Sequence, residues 1–174
     1  MSKRQPSTHD SEDPLPSWSA LVTVYQSVLH DVVATLEQRA GMDSGVFSAL
    51  AYLDRARPAH RLSMRELQQL MYPRYSQPGF SRLVQRMETE GLVERRTDPA
   101  DRRATIVVST RSGRNQFRRA NTVYIAALRA SFGRHLGEPD HARLAAILML
   151  VADGRKRPPP AARPQDGTRE VRSS

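Results

Sequence analysis

The 174-residue sequence contains no cysteine. That absence excludes disulfides, thiol catalysis, cysteine-ligated zinc and oxidant sensing through thiols. Aromatic residues make up only 6%, and lysine occurs only at Lys3 and Lys156, so arginine carries the basic character. No run approaches the roughly 18 consecutive apolar residues of a membrane span. Residues 1–16 lack the apolar core of a signal peptide. Also missing are a His-Glu-x-x-His pair, a Gly-rich loop ending in Gly-Lys-Ser/Thr and a Gly-x-Ser-x-Gly elbow. The carboxylates sit singly among arginines, and the isolated His30 and His60 read as polar surface or cap residues rather than ligands for a metal or an anion. The expectation is a cytoplasmic protein with no membrane partner, no catalytic residues, no metal and no cofactor.

What is present is positive charge, and its location carries the information. The chain has 27 Lys+Arg against 18 Asp+Glu, a net of +9. Residues 154–174 hold six basic and two acidic groups with four prolines, a composition unable to offset its ordering entropy, and read as a disordered basic tail. Residues 1–16 read as a disordered N-terminal tail. Within 17–153, residues 74–119 carry 11 arginines and 5 acids, a net of +6, while the remainder balances at 8 and 8. The excess charge of this central region lies in one 46-residue window. Such a window points to a polyanion.

Trp18, Val22, Tyr25, Leu29, Val32 and Leu36 recur at alternating spacings of 4 and 3, which predicts a long amphipathic helix from a Ser17 cap to just before Gly41. A second helix is expected from about Ser44 to Arg57, stopped by Pro58. Ser63-Met64-Arg65-Glu66 matches a capping box at the head of a short third helix. The turn Tyr72-Pro73-Arg74-Tyr75 breaks it, and Ser76 caps a fourth helix with Phe80, Leu83, Val84 and Met87 on one face. Its opposite face carries Pro78, Ser81, Arg82, Gln85, Arg86 and Thr89, and Gly91 ends it. Two strands are expected over 92–96 and 104–109, joined by a charged loop with turn chemistry at Asp98-Pro99. Thr110 caps a long helix running through Phe117, Tyr124 and Phe132 to Leu136, and a last helix opens at Glu138-Pro139-Asp140.

This order of elements predicts a mainly α fold with a small β-hairpin wing. A winged helix-turn-helix lobe spans about 44–110, and long N- and C-terminal dimerisation helices span about 17–40 and 111–153. A B-DNA major groove admits one α-helix that is apolar behind and polar in front, which is the division seen over 76–90. A narrow minor groove attracts inserted arginine, which the hairpin loop offers as Arg102 and Arg103. The terminal helices have apolar stripes wider than a small lobe needs, which predicts a homodimer.

Ser76-Gln77-Pro78-Gly79-Phe80-Ser81-Arg82-Leu83-Val84, continuing to Glu90-Gly91-Leu92-Val93-Glu94-Arg95, resembles the recognition helix and following strand of MarR-family transcriptional regulators. Asp98 to Ala104, followed by a β-branched strand and Thr110-x-x-Gly113, resembles that family's wing and helix start. The resemblance implies a homodimeric regulator, mostly of repressor type, on a pseudo-palindromic operator in double-stranded DNA. It also implies release by a small aromatic or phenolic effector and places the protein at the nucleoid.

Carried onto this chain, the resemblance puts Gln77, Pro78, Ser81 and Arg82 at major-groove bases and adjacent phosphates. The wing arginine is Arg103, oriented by an ion pair from Asp101, with Arg102 as a phosphate contact. Ser76, Arg86, Arg65 and Arg74 complete the expected DNA-binding set, and of Arg95 and Arg96 only one can face DNA. Trp18, Tyr25 and Tyr52 read as core packing, with an effector pocket as the alternative the resemblance adds. Two departures stand out: the Tyr72–Tyr75 turn is about two residues longer than the family's pattern, and Ser109 replaces a larger apolar residue. The alternative function is an architectural, non-sequence-specific DNA binder using the same lobe.

Overall fold

The computed structural model describes residues 13–154. The chain forms two units, one ending at His135 and one beginning at Leu136. In the first, α1 (Leu15–Ala40) and α2 (Ser44–Arg55) precede a short strand β1 (Arg61–Ser63). Next come α3 (Met64–Met71), α4 (Gln77–Thr89), β2 (Val93–Thr97), β3 (Thr105–Ser109), α5 (Arg111–Ser131) and a 3-10 turn at Gly133–His135. The second unit contains α6 (Glu138–Gly154).

Local sequence explains most boundaries. Ser63 Oγ accepts from the Glu66 N–H at 3.1 Å while Glu66 Oε2 accepts from the Ser63 N–H at 2.8 Å, so the capping box is complete. Ser76 Oγ accepts from the Gly79 N–H at 3.4 Å, and Thr110 Oγ1 accepts from the Gly113 N–H at 3.0 Å. Gly113 is also required for space, because a Cβ there would sit 2.1 Å from the Leu92 carbonyl oxygen. The start of α5 therefore closes onto the chain entering β2, where Thr110 N–H donates to the same carbonyl at 3.0 Å.

Four expectations are corrected. α1 begins at Leu15 rather than at Ser17: prolines at 14 and 16 suit a first turn, whose N–H groups lack intrahelical partners, and Asp13 Oδ1 accepts from the Leu15 N–H at 3.0 Å. α2 ends at Arg55, before Pro58 is reached. α5 stops at Ser131, where Phe132 leaves helical geometry ahead of Gly133. The sheet also has a third strand, since β1 pairs antiparallel with β3 through Arg61–Val108, Leu62–Val107 and Ser63–Ile106. Three residues are too few to display an alternating pattern. The expected tails lie outside the described residues, except for positions 13–16 and 154.

The sheet order is β1-β3-β2, with β2 and β3 forming the hairpin from Val93–Ser109 to Thr97–Thr105. Its inner face meets α2, α3 and α4 over a core of Leu50, Leu53, Leu67, Phe80, Val84 and Val107, each at most 1% exposed. α1 packs along α5, and α2 joins α5 through Phe47, whose ring stacks on Tyr124 at 4.8 Å and tilts against Phe117 at 5.4 Å. Trp18 and Tyr25, read as core, are each 62% exposed on α1.

Candidate nucleic-acid interface

The interface is built on the two faces of α4. Phe80, Leu83, Val84 and Met87 are buried, which fixes the rotation of the helix about its axis. Gln77, Pro78, Ser81, Arg82 and Gln85 are consequently exposed together. The Arg82 side chain makes no hydrogen bond or ion pair among the described residues. Ser76 caps the helix beside this face, and the first-turn N–H groups form a partly positive end. Arg65 is exposed on the first turn of α3.

The wing is ordered by its aspartates. Asp98 Oδ1 accepts from the Ala100 N–H at 2.9 Å, and Asp98 N–H and Ala104 C=O close the loop at 2.9 Å. Asp101 meets Arg103 differently from the expected ion pair: its Oδ1 accepts from the Arg103 backbone N–H at 2.9 Å. An Asx turn uses the carboxylate locally, and the Arg103 guanidinium is left without a carboxylate. Arg102 and Arg103 are both exposed at the tip.

Other arginines of the window are tied. Arg86 pairs with Asp43 at 3.1 Å, and Asp43 also accepts from the Gly45 and Val46 N–H groups as the α2 cap. Arg95 pairs with Glu88 at 2.5 Å, and Arg96 pairs with Glu94. The Arg95 guanidinium, with help from its backbone N–H, holds the Glu88 carboxyl below the usual carboxylate range. Arg74 donates to Ser44 Oγ at 2.6 Å. Next to it, Tyr75 lies over Gly45, where any Cβ would sit 1.9 Å from the Tyr75 hydroxyl oxygen. The long α3–α4 turn is thus folded back onto the start of α2. Asp43, Ser44 and Glu88 escaped the sequence reading: Asp43 carried a cap signal, whereas the Glu88–Arg95 pair, from a helix to the following strand, carried none.

Tyr52 lines a cavity of about 410 Å³ between α1, α2 and α5, with Phe47, Phe117 and Tyr124 along its wall and Ser44 and Arg74 at a polar end. Phe117, Tyr124 and Ser44 were not singled out in the sequence for this role. Tyr25 instead lines a separate apolar groove between α1 and α5, and Trp18 lies in neither. The three aromatic residues do not form one site. Among the described residues, no group of three or more His, Asp or Glu side chains is arranged to hold a metal ion.

Residues 40–104 match the model of the MarR family. Over that segment the chain is similar to the MarR family. The MarR proteins are transcription regulators rather than enzymes. Three solved MarR structures share the fold over most of the chain. Sco3205 from Streptomyces coelicolor, in complex with DNA, is 26% identical with a TM-score of 0.69, covering 83% of this chain and 92% of its own. AbsC from the same organism is 22% identical with a TM-score of 0.69, covering 89% and 99%. A mutant Escherichia coli MarR complexed with operator DNA is 18% identical with a TM-score of 0.65, covering 84% and 99%. No curated protein matches the chain by sequence.

Proposed function

We propose that this MarR-type protein is a sequence-specific DNA-binding repressor. In this reading the lobe of about 44–110 reads a pseudo-palindromic operator, and helices in 17–40 and 111–153 join two copies. The observation that carries it is the pair of unpaired, exposed arginine positions, Arg82 on the outward face of α4 and Arg103 at the wing tip. A solved relative, Sco3205, is itself in complex with DNA. With α4 in the major groove, Gln77, Pro78, Ser81 and Arg82 meet base edges and phosphates, Ser76 and Arg65 meet the backbone, and the wing brings Arg103 to the minor groove and Arg102 to a phosphate. Arg86 and Arg74 leave the contacting set in this version, since each is already held by another side chain.

The homodimer is supported by the apolar surface of α1 around Leu15, Trp18 and Tyr25, and by that of α6 around Ile147, Met149 and Leu150, all more than half exposed. The cavity around Tyr52 suits a small aromatic or phenolic effector: its wall is aromatic and its polar end is an arginine two residues from the α4 cap. A cytoplasmic, nucleoid-associated protein follows from this reading. No helix among the described residues is long and apolar enough to cross a membrane. Selection of binding sites from random duplex DNA tests the proposal. Recovery of an inverted repeat is expected, and an unenriched pool would favour the architectural alternative.

A further inference from the structure

A second basic concavity lies outside the residues assigned to DNA and shares only Asp54 with the lining of the effector cavity. Asp54, Arg57, Pro58, His60, Arg114 and Arg118 line a space of about 340 Å³ between the end of α2 and the first turns of α5. Its walls are held by backbone. The His60 N–H donates to the Ala56 carbonyl at 2.9 Å, and the His60 carbonyl accepts from the Ser109 N–H at 3.0 Å. Between these bonds His60 takes a left-handed φ of 48°, an uncommon conformation for a residue with a side chain. Its Nδ1 is buried 3.7 Å from Asp54 Oδ1, beyond hydrogen-bond reach, and has no hydrogen-bond partner.

The charges around this space do not balance. The only carboxylate lining it, Asp54, pairs with Arg57 at 2.9 Å. Arg114 is aimed by a neutral acceptor, the Ser109 carbonyl at 2.5 Å, and Arg118 by the Asn115 side-chain oxygen. Neither forms an ion pair among the described residues. They stand one helical turn apart, a like-charge spacing that weakens a helix. Two guanidiniums therefore face one concavity without a counter-charge.

We propose that this concavity is a binding site for the phosphate group of a small ligand. Arg57 and Asp54 neutralise each other, so the remaining two positive charges match a dianionic phosphate, and a carboxylate would leave one guanidinium uncompensated. The planar donor forks of arginine suit the several oxygens of a phosphate. The same chemistry is offered by a DNA backbone phosphate, but the site uses none of the side chains proposed to read DNA.

Calorimetric titration of the DNA-free, full-length protein with inorganic phosphate, at constant ionic strength with chloride as the control, tests this. One saturable site per chain is expected in the wild type and in an Arg82→Ala/Arg103→Ala double variant. Arg118→Gln, at an exposed position whose thermal melting verifies folding, should weaken it by about ten-fold or more. Absence of saturable binding, or equal binding by Arg118→Gln, overturns the site. Loss in the double variant instead moves the phosphate to the DNA-reading face and overturns it as well. If inorganic phosphate does not bind but Arg118→Gln lowers the salt slope for random duplex DNA by about one, the arginine is a backbone contact and the small-ligand site falls.

Discussion

Arg82 and Arg86 lie one turn apart on the outer side of α4, yet their surroundings differ. Arg82 faces solvent without a partner, whereas Arg86 is held by the carboxylate that caps α2. The same division runs through the hairpin: Arg95 and Arg96 on β2 are paired with Glu88 and Glu94, and Arg102 and Arg103 at the tip are not. Net charge in the window is therefore a poor measure of what is available to a polyanion. Arginines spent on acidic neighbours fix the lobe's parts to one another, and those left over are the ones a phosphate or a base edge can engage without first breaking an ion pair.

The comparison breaks first at Arg82. Under the proposed reading, Arg82→Ala should cost about 1–3 kcal/mol of specific DNA affinity and relax sequence choice at one position, with unfolding unchanged. Titration of the selected site and its single-base variants measures both; unaltered affinity and preference would remove Arg82 from base reading. Arg103→Ala should cost less on average, with the loss concentrated where A·T-rich flanks narrow the minor groove. A loss spread evenly over all flanks would mark a plain phosphate contact. Arg86→Ala is the counterpart from the paired set. Its ion pair is about half exposed, so the expected loss of folding stability is below about 1 kcal/mol, with little change in site preference. Denaturant unfolding and the same DNA titrations decide it, and a loss of sequence choice as large as that of Arg82→Ala would erase the distinction between free and tied arginines.

How much of this was legible in the sequence follows from the range of each interaction. The caps at Ser63, Ser76 and Thr110 and the buried stripe of α4 are local, so spacing alone located them. β1 was missed because its only cue is pairing with a strand more than forty residues away. The exposure of Trp18 was missed for a related reason: an apolar stripe reports that a face seeks cover, not whether the cover lies within the same unit. The ion pair of Arg86 with Asp43 and the hydrogen bond of Arg74 to Ser44 depend on how α4 and the preceding turn lie against α2, and no periodicity encodes that. Asp101 shows the opposite failure. The family resemblance implied an ion pair to Arg103, whereas the Asp101 carboxylate accepts from the Arg103 backbone N–H instead.

The smallest expected effect concerns Glu66, beside the free Arg65. The Ser63 N–H, and secondarily the Ser63 side chain, hold the Glu66 carboxyl below the usual carboxylate range. A lowered folded-state value means that folding favours the ionised form. The resulting stabilisation is complete above the ordinary carboxylate value and is lost as pH falls through the lowered one. Glu66→Gln keeps an oxygen that can accept from the Ser63 N–H but removes the titrating proton. Between pH 7 and about pH 3, melting temperature should therefore fall slightly less in Glu66→Gln than in the wild type, the other carboxylates being common to both. Parallel curves would mean that the Glu66 half of the capping box contributes geometry without charge. A divergence confined to the acid limb would instead show that α3, which lies ahead of the turn into α4, is held by a tied charge in the same way as the paired arginines.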